Sequence, residues 1–115
     1  PHPFDRLRSS RLQPEALSGI IDRIDMLETF NARDILTRRD EPLIARALKE
    51  GVVLVAGSDA HFRIEIGRAR VIMQPFSTPR DFLENLRSAR TVTHKSPLWV
   101  HGATKLLRLY KKMRG

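Results

Sequence analysis

The chain has 115 residues, with 21 Lys+Arg against 13 Asp+Glu for a formal charge of +8, 41% hydrophobic side chains and no cysteine. That length and apolar content allow one compact domain and exclude both a disordered tail and two full domains. Without cysteine there is neither a disulfide framework nor a thiolate site, so a metal would have to be held by His, Asp or Glu.

The longest wholly apolar run, Val52 to Ala56, falls far short of the roughly 20 residues that a membrane span requires. The polar, basic start from Pro1 to Arg11 is unlike a signal peptide, so a cytoplasmic setting is the expectation. A first residue of Pro1 rather than Met suggests a processed, cut or incompletely represented polypeptide.

In chain order, Pro14 followed by Leu17, Ile20 and Ile21 predicts a short helix with proline in its first turn. Ile24 to Phe30 reads as a strand. Asp40 is placed to cap a helix carrying Leu43, Ile44, Ala47 and Leu48, which Gly51 closes. Val52 to Ala56 follows at once, a β-branched run without alternation that predicts a strand buried on both faces of a parallel sheet. Val71 to Met73 is a weaker strand. Thr78 and Asp81 have capping-box spacing, with Pro79 at the first helical position and Phe82, Leu83 and Leu86 as the inward stripe. A last helix is predicted from Trp99, Ala103, Leu106, Tyr110 and Met113, which recur at spacings of 4, 3, 4 and 3 and should form its buried seam. This βαβα order argues for a parallel α/β architecture, with too few strands to close a barrel alone.

Charge is uneven along the chain. Residues 1–57 are neutral, with 9 basic and 9 acidic side chains, and from Arg87 to Gly115 there are 8 basic side chains and no acid. Three readings fit that tail: a closing helix with solvated cations, a surface for a phosphate-rich partner such as nucleic acid, or an amphipathic helix on an anionic membrane. One Tyr and one Trp leave little for base stacking, which disfavours sequence-specific RNA reading.

Chemistry concentrates in Gly57-Ser58-Asp59-Ala60-His61, immediately after the Val52 strand, where α/β folds place their sites. Asp-x-His offers a carboxylate and an imidazole from one loop, a pairing suited to Zn, Mn or Fe, although a capped turn would use the same residues. Asn31 and Arg33 stand at another strand end. There Arg33 could grip a substrate phosphate, or Asn31 could cap the loop with Arg33 in water. Glu28 could support a ligand from within its strand or form a salt bridge, and Glu65 is expected at a helix start, where its charge favours the dipole. His94 and His101 have no partner motif.

The Gly57–His61 motif with Glu65-Ile66-Gly67, together with His2-Pro3-Phe4 and Leu27-Glu28-Thr29-Phe30-Asn31-Ala32-Arg33, resembles three ordered motifs of the polymerase and histidinol phosphatase (PHP) superfamily of metal-dependent phosphoesterases. The resemblance covers residues 1–93 as the C-terminal part of such a domain, with 94–115 as a basic amphipathic helix outside it. It implies the C-terminal portion of a distorted, TIM-like β/α barrel and places His2, Asp59 and His61 as metal ligands for divalent ions (Zn, Mn, Fe or Mg). It also implies hydrolysis of phosphate esters, with nucleotides or nucleic acid among the substrates. The family's other ligands, an early His-x-His pair, further histidines and a bridging Glu, lie before its His-Pro-Phe motif and are missing here. Activity is therefore expected only when a complementing N-terminal segment supplies them. An exposed sheet edge also predicts self-association. The alternative reading is a non-catalytic module whose basic helix holds nucleic acid or another acidic partner.

Overall fold

The computed structural model describes residues 2–7, 9 and 11–114. Among the described residues, four helices and four strands follow in the order α1 (Pro14–Ser18), β1 (Met26–Asn31), α2 (Glu41–Lys49), β2 (Val53–Gly57), β3 (Ala69–Ile72), α3 (Pro79–Arg87), β4 (Arg90–Thr93) and α4 (Trp99–Arg114). Short 3-10 turns stand at Ile21–Arg23 and Arg63–Glu65.

β1 and β2 pair in parallel, as a strand, helix, strand order demands, with α2 as the crossover. The main core lies beneath them. Leu17, Ile21, Leu27, Leu43, Ile44 and Ala47 pack there, joined by Phe4 and Val52. Only Val52 and Val53 of the apolar run are buried, whereas Leu54 to Gly57 are half-covered, so β2 is less enclosed than its composition predicts. Neither is the sheet extended. β3 and β4 form a separate two-stranded antiparallel sheet, and the described residues close no barrel, which corrects the expectation of a purely parallel arrangement. β4 was not foreseen at all, since Arg90-Thr91-Val92-Thr93 is short and lies mostly exposed.

Helix starts follow local chemistry. The Asp40 carboxylate accepts the Leu43 N–H at 3.0 Å. At α3 the capping is reciprocal: Thr78 Oγ1 accepts from Asp81 N, and Asp81 Oδ2 accepts from Thr78 N. Replacing Thr78 with Ala removes one half of that exchange and is expected to cost about 1 kcal/mol in urea denaturation.

The last helix is rolled away from its expected seam. Leu106 is 69% exposed and Met113 73%, with Trp99 and Tyr110 also exposed, while Val100 is wholly buried. The cause is polar. Arg33 Nη2 donates to Val100 O at 3.1 Å and to Thr104 Oγ1 at 2.7 Å, so a buried guanidinium sets which side of α4 faces the body.

Candidate functional site

The residues singled out by sequence gather at the C-terminal ends of β1 and β2. A bulge at Thr29 shifts the β1 register between Glu28 and Phe30, so that Glu28 and Asn31, which strict alternation would turn to opposite faces, meet. Asn31 Nδ2 donates to Glu28 Oε1 at 3.2 Å. Glu28 in turn accepts the His2 N–H through Oε2 at 2.8 Å, tying the N-terminal segment to the strand end. Gly57 leaves room for this carboxylate, since a Cβ there would lie 2.5 Å from Glu28 Oε1 and the Glu28 side chain would have to shift.

His2 is buried between two carboxylates. Its Nδ1 stands 2.8 Å from Asp34 Oδ1, and its Nε2 stands 3.4 Å from Asp59 Oδ2. Burial raises the Asp34 carboxyl above its ordinary value, against the opposing pull of the His2 hydrogen bond. His61 lies on the other side of Asp59. Its Nδ1 donates to the Asp59 carbonyl at 2.8 Å, because a carbonyl can only accept, and it is 3.8 Å from Asp59 Oδ1. His2 and Asp59 both adopt left-handed backbone, at φ 55° and 49°, a conformation uncommon outside glycine and often found at functional sites.

Thus His2, Asp59 and His61, separated by up to 59 positions in sequence, come together around one carboxylate. The donor chemistry suits Zn, Mn or Fe. Each imidazole has Nδ1 occupied by an oxygen partner, the arrangement by which a ligating histidine is oriented through its other nitrogen. The three side chains are arranged as two pairs sharing Asp59. Among the described residues no group of three or more His, Asp or Glu is arranged to hold an ion.

Asn31 and Arg33 occupy the same strand end differently from each other. The Asn31 side chain is spent on the turn, accepting the Arg33 N–H at 2.9 Å and donating to Glu28. Arg33 is not solvated, as one sequence reading had it, but only 2% exposed. Its Nε lies 3.4 Å from Glu65 Oε1.

Glu65 stands in the first turn of the Arg63–Glu65 3-10 helix, a helix start as expected, and it is also fully buried, its Oε2 accepting the N–H groups of His61 and Phe62 at 3.1 and 3.0 Å. Burial alone would raise its carboxyl; the N–H bonds and the Arg33 charge outweigh it and hold the group below its ordinary value. Glu65 therefore fixes the His61 loop, and Arg33 links that loop to α4.

Two further residues escaped sequence reasoning. Lys95, counted with the basic tail, is structural: its Nζ donates to Asn31 O and Asp34 O at 3.1 and 2.8 Å and sits 4.8 Å from the Phe30 ring centre. His101, which had no partner motif, lines a cavity with His61 and Arg33. Only the three-dimensional position of α4 reveals it.

A mixed α/β chain with histidine and carboxylate donors gathered at parallel strand ends is the class that these observations define. Residues 44–91 match the family model described as PHP-associated. The match includes Asp59, His61 and Glu65 and stops short of His2, Asn31 and Arg33. No curated protein and no solved structure matches the chain.

Proposed function

We propose that the chain is the C-terminal part of a metal-dependent phosphoesterase, with His2, Asp59 and His61 contributing ligands and the remaining donors supplied by a complementing segment. The observation that carries this reading is the convergence of His2 and His61 on Asp59, with a buried carboxylate, Asp34, behind His2. When bound, a divalent ion such as Zn, Mn, Fe or Mg supplies Lewis acidity and positive charge for attack of water on a phosphate ester. The chain's own residues do the positioning. Asp34 orients His2, Glu28 holds its backbone, and Glu65 holds the loop that carries His61.

Bound metal measured by plasma mass spectrometry after equilibration with Zn or Mn tests the reading. The unaltered chain is expected to retain metal and a His61→Ala variant to lose it, while hydrolysis of a generic phosphodiester stays weak in both without complementation. A chain that retains neither ion would overturn the proposal.

A second reading, a non-catalytic module for nucleic acid or another acidic partner, is favoured by the exposed cations of α4, Lys111, Lys112 and Arg114. Binding of that kind would weaken steeply with added salt.

A further inference from the structure

We propose that α4 completes a phosphate-binding pocket beside His61, formed by Arg33 at the strand end with His101, Lys105 and Arg108 of the helix. The inference rests on the phosphoesterase reading for the identity of the anion, and its physical basis is the basic lining that Arg33 and α4 provide next to His61.

His101, Lys105 and Arg108 stand at positions i, i+4 and i+7 of one helix and so share a stripe. That stripe faces a cavity of about 280 Å³ that Arg33 and His61 also line. The charge inventory favours an anion. The lining holds three basic side chains, Arg33, Lys105 and Arg108, of which Arg33 also faces Glu65, and its carboxylate, Asp5, is engaged by the N–H groups of Leu7, Ile35 and Leu36.

Arg33 gives the second, independent indication. Its side chain is 2% exposed and its Nε faces Glu65 Oε1 at 3.4 Å; Nε and Nη1 are buried with no hydrogen-bond partner, although Nη2 is satisfied by Val100 and Thr104. An orphaned guanidinium N–H is costly, and charge-assisted bonding to an anion is what relieves it. The roll of α4 agrees. Leu106 and Met113 are left in water while Lys105 and Arg108 are turned to the cavity mouth, an orientation that apolar burial would not select. Donors arriving from the strand end, the His61 loop and α4 surround an anion from several directions, which suits the tetrahedral oxygens of phosphate.

The test uses the whole chain without added metal and follows inorganic phosphate by titration calorimetry and phosphorus NMR, with phenyl phosphate as a second arm. The double variant Lys105→Glu/Arg108→Glu is compared with Lys111→Glu/Lys112→Glu, which changes net charge equally on the same helix outside the cavity; circular dichroism checks that both fold. Binding is expected in the unaltered chain, weakened about tenfold or more in the 105/108 variant and retained in the 111/112 variant.

Tighter binding of phenyl phosphate than of inorganic phosphate would identify an ester as the occupant, and the reverse would identify the free ion; either supports the pocket. Equal weakening in the two variants, or no binding of either probe by the unaltered chain, would overturn it. Because no metal is present, loss of the pocket is distinguishable from loss of the metal site, which the His61→Ala measurement reads.

Discussion

Replacing Arg33 with Met is expected to destabilise the chain by about 3–5 kcal/mol, because it strands the Glu65 carboxylate in the interior. Both side chains are almost wholly enclosed, and they face each other at 3.4 Å. The same change removes the two bonds from Arg33 to Val100 and Thr104, so α4 loses its polar anchor as well. Glu65→Gln is expected to fall in the same range from the opposite side, leaving an unpaired buried cation. The double variant Arg33→Met/Glu65→Gln should recover much of the loss, since it removes both charges together. Urea midpoints of the four proteins provide the cycle; single variants costing under about 1 kcal/mol would show the pair to be solvated in solution.

The pH dependence has a definite sign. Glu65 has a folded pKa below its ordinary 4.5, so the unfolded chain binds its proton more readily. Its contribution is therefore fully present above the unfolded value and is lost as pH falls through the depressed folded one. The unaltered chain should lose stability over that acidic range, and Glu65→Gln should lack that part of the transition.

Legibility in the sequence tracked the range of the interaction. The caps at Asp40 and Thr78 could be read because donor and acceptor lie three residues apart. The β1, α2, β2 unit could be read because period and turn signals are also local. β4 was hidden, since four residues with two hydroxyls and a cation match no buried pattern, and its partner β3 is set by pairing across some twenty intervening residues. The roll of α4 was misread for a related reason. Apolar periodicity named Leu106 and Met113, but the deciding contact is Arg33 with Val100 and Thr104, about seventy positions away. Of the site, His2, Asp59 and His61 were named from motif resemblance, whereas Asp34 behind His2 and Glu65 beneath His61 were not assigned those places. A carboxylate's role there depends on which backbone donor or ring nitrogen folding brings to it.

Asp34→Asn is expected to weaken Zn or Mn binding by about 10- to 100-fold while leaving the fold largely intact. The substitution keeps the shape of a buried side chain that is 2.8 Å from His2 Nδ1, but it removes the charge that favours Nδ1–H and with it the basicity passed to Nε2. An amide can also turn its NH2 toward the ring, which would make Nδ1 the acceptor and place the proton on Nε2, the nitrogen facing Asp59. Either outcome opposes ligation by His2. The surrounding backbone should hold, because Lys95 grips the carbonyl of Asp34 rather than its side chain. Competition with a chelator of known affinity measures the change. Unaltered affinity in a chain that still binds metal through His61 would mean that His2 stands by the site without ligating. The 3.4 Å approach of its ring to Asp59 would then be a structural contact that closes the N-terminal segment over the strand ends.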